Sequence, residues 1–474
     1  MRERTKAMLT EQATANTADR EALESLIGPE RAARLREAAD SIKERLGAGG
    51  TLWHVNSTGA GGGVAEMLHT VIPLYRSLGV PARWAVIGGD DRFFSITKRL
   101  YGALYGSIGD GGPLGDAERT DYLANLTTVA DAFRELLGPD DIVILHDFQT
   151  TGLIDLLGKD VAAMYWRCHV GVDEQTEAST LGWDFLTPLL DHADGLIFSV
   201  DWHVPPRLRE RPVTILPPFV APFIPKNRDL APDVIATALA RSGLSTGPAP
   251  TEPTTVDLGG RPVHLNHAAT VVSVGPPEPG QPIAAQISRW DRLKDMHGVL
   301  AAFTTFVPEG YLALVGPDPA SIPDDIEQGV WFQRCVTDWQ ALPPDLRARV
   351  ALICLPMADL SENAVLVNAI QRAATTVTQK SLVEGFGLTV AEAMLKSRVV
   401  VASAVGGIRA QITHGDTGLL VTDPTDLATF GSLVTTALAD TPENHTMGVR
   451  ARRHILDNFL PDREVVTTAQ MITT

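Results

Sequence analysis

The sequence predicts an α/β protein of two doubly wound parallel-sheet domains with a ligand cleft between them. Three observations carry that expectation. The chain has 474 residues, more than one hydrophobic core usually organises. Short apolar runs bounded by turn residues alternate with helical stretches, the signature of a parallel sheet wrapped by helices. The alternation occurs in each half, and ligands of such sheets bind at the carboxyl ends of the strands.

In order along the chain, residues 1–50 form a helical segment expected to pack on the first domain. Leu23, Leu26, Ile27, Ala32, Leu35, Ala38, Ile42 and Leu46 recur with helical periodicity over about 17–47, which stops at Gly47, Gly49 and Gly50. Residues 51–226 form the N-terminal domain. Its strands are expected at Thr51–Val55, Arg83–Ile87, Ile142–Leu145, Ala162–Trp166, Leu196–Ser199 and Val213–Leu216. Residues 227–282 read as an elaborated linker, with a hairpin at Gly259-Gly260 between Thr254-Thr-Val256 and Val263-His-Leu265. Residues 283–455 form the C-terminal domain, with strands expected at Ile283–Ser288, Leu312–Val315, Ala351–Leu355, Thr375–Thr378, Val399–Ala402 and Gly418–Val421. Residues 456–474 form a last helix returning to the N-terminal domain. No short-period repeat links the halves.

Composition excludes several classes. Hydrophobic residues make up 44% and charged residues 20%, as in globular proteins. No apolar run approaches the roughly 20 residues of a membrane helix. The polar start Met1-Arg-Glu-Arg-Thr-Lys lacks the apolar core of a secretory signal, so a cytoplasmic location is expected. Cys168, Cys335 and Cys354 are an odd set without metal-type spacing, which fits a reducing compartment. A net charge of -17 argues against nucleic acid and anionic membranes as partners. Any polyanionic ligand then needs a local island of positive charge.

Three motifs carry chemistry. Trp53-His-Val-Asn56-Ser-Thr58-Gly59-Ala-Gly61-Gly62-Gly63 follows the first strand and opens a helix, where a phosphate approaches bare amides. A dinucleotide fingerprint is the rival reading. Val64 stands where its third glycine belongs, and the nearest downstream acid, Asp90, is not the one required roughly 20 residues on. The second motif, Ser288-Arg289-Trp290-Asp291-Arg-Leu-Lys294-Asp295, places a guanidinium fork and an ammonium where both can meet one diphosphate. Alone, it reads as a charged surface turn.

The third motif, Lys380-Ser-Leu-Val-Glu384-Gly-Phe-Gly387-Leu388-Thr389-Val-Ala-Glu392, separates two carboxylates by seven residues around a glycine hinge. A helix starting near Gly387 turns the unpaired amides of Gly387, Leu388 and Thr389 toward a diphosphate. Glu392 then lies roughly 7 Å further along, within reach of a ribose diol. Glu384, in the loop before the helix, faces sugar hydroxyls. The plain alternative is an amphipathic helix with Leu388, Val390, Ala391, Met394 and Leu395 as its core face and two solvated glutamates. No metal site stands out, because Asp90-Asp91 and Asp324-Asp325 lack a histidine or third carboxylate.

With His54-Val-Asn56-Ser-Thr58, Phe93-Phe94 with Thr97-Lys98, His146-Asp147-Phe-Gln149, Trp166-Arg167-Cys168-His169 and Pro217-Pro218 with Lys226-Asn227, these motifs form an ordered set from about residue 20 to the C-terminus. The set resembles the retaining GT-B glycosyltransferases of family four, and within them the trehalose glycosyltransferring synthases. The resemblance implies two Rossmann-like domains and transfer of a sugar from a nucleoside diphosphate donor, GDP-, UDP- or ADP-linked, to a small-molecule acceptor with retention. It implies that Arg289 and Lys294 stabilise the leaving diphosphate. Gly61, Gly62, Gly63 and the Gly387, Leu388 and Thr389 amides cradle it. Glu392 holds ribose, Glu384 and His169 lie at the donor sugar, and Asn56, Tyr101, Asp147, Gln149, Trp166 and Arg167 line the acceptor side. No metal or other cofactor is implied, lysine and arginine replacing a divalent ion. A homodimer remains open.

The chain also departs from that pattern. Tyr101-Gly102 replaces His-Asn, Gly171 replaces an aspartate two residues after His169, and Ala221 replaces the aspartate of Pro-Pro-x-Ile-Asp-Pro. The losses fall mostly in the domain expected to bind the acceptor, where polar side chains are exchanged for a phenol, glycine or methyl group. The donor chemistry is therefore better supported than glucose as acceptor, and the alternative is a specialised-metabolism acceptor, a thiol or alcohol as in lincosamide-type antibiotic biosynthesis. A catalytically silent sugar-nucleotide sensor and a nucleotide-dependent oxidoreductase complete the alternatives.

Overall fold

The computed structural model describes residues 8–14, 19–107, 109–245, 252–258, 261–321 and 326–473. Its backbone divides into two units, Met1–Val220 with Phe459–Thr474, and Ala221–Asn458.

In the first unit, strands β1 (Leu9–Glu11), β2 (Leu52–Asn56), β3 (Ala82–Ile87), β4 (Ile142–His146), β5 (Ala163–Cys168), β6 (Gly195–Phe198) and β7 (Val213–Ile215) form one sheet in the order β1-β3-β2-β4-β5-β6-β7. β1 pairs antiparallel to β3, and the other neighbours are parallel. β2, β4, β5 and β6 are buried at every position, as expected of strands covered on both faces. Strand order reverses between β2 and β4, the crevice where ligands of doubly wound sheets bind.

The helix Arg20–Leu46 buries Leu23, Ile27, Ala32, Leu35, Ala39, Ile42 and Leu46. It breaks at Gly28 (φ 80°, ψ 168°), and Pro29 restarts it, since proline fits a first turn but not an interior. It packs along the helix Pro461–Thr473 of the same unit, with Arg31 bonded to Asp462 at 2.8 Å and Arg45 donating to the Ile472 carbonyl at 3.1 Å.

In the second unit, β8 (Thr254–Asp257) and β9 (Pro262–Leu265) form an antiparallel pair; the expected turn residues Gly259 and Gly260 lie outside the described residues. The strands β10 (Thr270–Val272), β11 (Ile283–Ile287), β12 (Tyr311–Pro317), β13 (Val350–Leu355), β14 (Thr376–Gln379), β15 (Val399–Ser403) and β16 (Leu419–Val421) make a sheet in the order β10-β13-β12-β11-β14-β15-β16. It is parallel apart from β10, and its order reverses between β11 and β14. The residues expected as linker belong to this unit: the helix Pro232–Arg241 packs on Leu360–Ala373, and β10 pairs with β13.

Each expected strand overlaps an observed one. β1 and β10 were not anticipated. Both are three-residue antiparallel edges, too short for a period to show.

Candidate functional site

The switch point of the second unit gathers the charged motifs. The turn after β11 carries Arg289 and Lys294, and the loop after β14 carries Glu384. Lys294 Nζ lies 2.6 Å from Glu384 Oε2, with side chains 18% and 9% exposed, so the ammonium rests on the carboxylate in a sheltered crevice. Ser381 Oγ donates to the same oxygen at 3.0 Å. Asp291 Oδ1 holds the Lys294 amide at 2.8 Å, which fixes the turn, while Asp291 Oδ2 pairs with half-exposed Arg289 at 3.0 Å. Beneath them Lys380 pairs with Asp295, a non-glycine residue at φ 50° that caps the helix Met296–Phe306.

The helix Leu388–Leu395 begins at Gly387 in the left-handed region (φ 83°), where a side chain is strained. Gly387, Leu388 and Thr389 are half-buried, and the first-turn amides of a helix have no partner within it. The sharp Glu384-Gly385-Phe386 bend is held by a loop that sequence reasoning missed. A Cβ on Gly406 would fall 1.7 Å from the Glu384 carbonyl oxygen, and the Gly407 amide donates to Gly385 O at 2.9 Å. Gln411 Nε2 donates to Phe386 O at 2.5 Å. The available signal was the Gly406-Gly407 pair following an apolar run.

Neither glutamate is solvated: Glu384 is 7% and Glu392 2% exposed. Glu392 differs from the open carboxylate expected at a ribose. Its Oε1 pairs with Lys226 Nζ at 3.1 Å and its Oε2 accepts from Gln371 at 3.1 Å. The lysines Lys226 and Lys396 and the Gln371 amide outweigh burial and hold its carboxyl below the ordinary value. The helix is also more enclosed than an amphipathic one, with Ala393 buried and Leu388 only partly so.

At the switch point of the first unit, Gly61 (φ 74°) and Gly62 (φ 80°) lead into the helix Gly63–Ser77, exposed and with open space around them. Beside this turn three imidazoles line up across the strand ends. His54 Nδ1 lies 3.0 Å from His146 Nε2, and His146 Nδ1 lies 2.9 Å from His169 Nε2. The rings lie edge to edge, their centroids 5.3 and 5.2 Å apart and their planes inclined by 28° and 10°. Burial, with the Arg167 charge, holds His54 down to about 3 and His146 and His169 well below the usual histidine value, so all three are neutral at pH 7. Asp147 follows β4 at φ 61° and accepts the His169 amide on Oδ1 at 2.7 Å; loss of solvent pushes its carboxyl up to about 7.

Several residues expected at the acceptor lie inside the fold instead. Asn56 is 3% exposed, its amide donating to Thr58 O and accepting from Trp84 Nε1, both at 2.8 Å. Trp166 is fully buried, and Arg167, 1% exposed, pairs with Glu464 at 2.5 Å. Strand alternation explains this, because β5 is covered on both faces. Gln149 stays half-buried beside Asp147. Tyr101 does not present an open ring: it packs edge-on to Tyr105 at 4.8 Å and against Phe148 at 6.3 Å. Gly171 touches His203, which fills the space where a side chain would project. Among the described residues, no three histidine, cysteine, aspartate or glutamate side chains form a group able to hold a metal, and no helix is long and apolar enough to cross a membrane. Asp324 and Asp325 lie outside those residues.

The family model for the trehalose synthase N-terminal domain matches residues 54–205, and that for glycosyl transferases group 1 matches 361–454. The trehalose synthase of Pyrococcus horikoshii is 31% identical over 439 residues, covering 92% of this chain and 91% of that protein. The chain belongs to the trehalose synthase family. The Rubrobacter xylanophilus member is likewise 31% identical over 445 residues, covering 93% and 92%. Among solved structures, an alpha,alpha-trehalose 6-phosphate synthase from Burkholderia multivorans superposes with a TM-score of 0.64 at 15% identity, over 88% of this chain and 95% of that one. A sucrose-phosphate synthase from Thermosynechococcus elongatus gives 0.58 at 17% identity, over 89% and 97%. The fold is GT-B and the protein is a glycosyltransferase.

Proposed function

We propose that the protein transfers a sugar, with retention at the anomeric carbon, from a nucleoside diphosphate sugar to a small-molecule acceptor. The observation that carries this reading is the Lys294–Glu384 pair at the switch point, beside the Gly387 helix start. An ammonium has three donors, and Glu384 takes one of them, so a diphosphate can be held without breaking the pair. Charge grows on the diphosphate as the glycosidic bond breaks, and sheltered Lys294 with half-exposed Arg289 stabilises it. Glu384, oriented by Ser381 and Lys294, receives the donor sugar. Glu392, anchored by Lys226 and Gln371, meets the ribose. Gly61, Gly62 and Gly63 offer amides, and His169 contacts the donor sugar.

The names of the relatives support glucose as acceptor and trehalose as product. One observation favours a different acceptor: His203 occupies the place of the aspartate that Gly171 replaces. The test is calorimetric titration of the wild type and Lys294→Ala with UDP, GDP, ADP and NAD. One diphosphate should bind to the wild type and bind much more weakly to the variant. Binding of NAD alone, or diphosphate binding indifferent to Lys294, would remove the assignment. Product NMR with the accepted donor then reads the anomeric configuration.

A further inference from the structure

Three neutral imidazoles in a hydrogen-bonded line carry three N–H groups and three lone pairs. The two links of the His54–His146–His169 line use two of each. One N–H and one lone pair are left, at opposite ends. The inner end is His54 Nε2, which is fully buried and has no hydrogen-bond partner among the described residues. The outer end is Nδ1 of His169, on a half-buried ring. A buried N–H without an acceptor is rarer in proteins than an acceptor without a donor. The lone pair therefore belongs at His54 and the N–H at His169. We infer that His54 and His146 are positioning residues that fix the tautomer of His169, so that its Nδ1–H is a hydrogen-bond donor held toward the ligand. Each ring donates outward, His54 Nδ1–H to His146 Nε2 and His146 Nδ1–H to His169 Nε2. The geometry suits this, since the ring planes are inclined by only 28° and 10° and the facing nitrogens stand 3.0 and 2.9 Å apart, so each N–H points along the line at the next lone pair.

The consequence is chemical. In water a neutral histidine side chain prefers its proton on Nε2, which would leave His169 Nδ1 an acceptor. The line reverses that preference, and a sugar oxygen offered to His169 meets a donor that needs no reorganisation on binding. That role rests on the placing of His169 at the donor sugar, whereas the tautomer itself does not.

The test uses the full chain labelled with nitrogen-15 histidine, the His169 signals being assigned by their loss in His169→Asn. Long-range proton–nitrogen correlation at neutral pH should show His169 protonated on Nδ1. In His146→Leu it should revert to the Nε2–H form, with kcat lowered about tenfold, the effect of one lost hydrogen bond, and the donor KM nearly unchanged. His146→Gln, whose amide can still donate to His169 Nε2, should restore the tautomer and recover part of kcat. If His146→Leu does not fold, His54→Phe serves, and His169 should then show both tautomers. An Nε2–H form of His169 in the wild type overturns the inference, as does an unaltered tautomer in the leucine or phenylalanine variant. Full turnover in His169→Ala would instead remove the placing of His169 at the sugar, leaving the tautomer result intact.

Discussion

Restoring a carboxylate by Gly171→Asp probes steric fit and acceptor choice together. A Cβ at position 171 would lie 2.6 Å from Cγ and 2.7 Å from Nδ1 of His203, whereas carbon atoms in good contact stand about 3.5–4.0 Å apart. His203 is 4% exposed and paired with Asp173 at 3.3 Å, so the required shift of about 1 Å meets packed neighbours and breaks that pair. Overpacking of this kind costs about 1–3 kcal/mol, which for a unit of this size lowers Tm by roughly 3–10 °C. Gly171→Ala should lose nearly as much, because the clash is at Cβ and not at the charge. Gly171→Asp with His203→Ala vacates the space and should recover most of the stability. The acceptor assay is competition between glucose and a panel of alcohols, thiols and aminocyclitols with one donor. The double variant should use glucose at least about threefold better relative to the panel, the effect of a weak added hydrogen bond. An alanine variant as stable as the wild type would refute the steric argument. An unchanged acceptor preference in a stable double variant would refute the link to specificity.

Arg289→Ala and Lys294→Ala should each lower turnover about 100-fold, the scale of one lost contact to developing charge, with circular dichroism unchanged; near-normal turnover in either would misplace the diphosphate. Glu392→Ala should weaken nucleoside diphosphate affinity and also lower stability by about 3–5 kcal/mol, because Lys226 and Lys396 lose a buried partner. Glu384→Ala should act mainly on donor turnover, and equal losses of free diphosphate affinity in both variants would erase the distinction. Activity should survive a chelator, and loss with rescue by magnesium or manganese would reveal a metal dependence. The histidine line sets an acid limit on stability: its rings are neutral when folded but take protons once unfolded, so below about pH 6.5 the unfolded state binds more protons and stability falls with pH. His54 alone contributes on the order of 4 kcal/mol by about pH 3. Asp147, raised to about 7, opposes this between about pH 4 and 7, one group against three. Urea midpoints that stay flat from about pH 7 to 5 would contradict the burial of the line.

What could be read from the sequence divides along a physical boundary. Strands covered on both faces are continuous apolar runs, so Ile142–His146 and Val399–Ser403 announced themselves, and with them the two switch points. The charged motifs were legible as motifs because a turn and the residues it carries are local. Pairings that join one strand end to another were not legible. By sequence Lys294 and Glu384 are separate contacts to a ligand, yet they form a pair 90 residues apart in sequence. His54 and His146 stood in quoted motifs, but only the register of β2, β4 and β5 brings them into line with His169. The direction of a side chain on a covered strand was equally hidden. Asn56, Trp166 and Arg167 are polar or amphipathic groups at strand ends, which invites an acceptor role, but each has its partner inside the unit. Arg167 shows why. Its guanidinium, 1% exposed, is held by Glu464 from the last helix, a contact that sequence order places 297 residues away. A buried charge must be paired, and the partner of a buried charge is a tertiary fact. Local chemistry in this chain therefore identifies which groups can act on a ligand, and the sheet register decides which of them are free to do so.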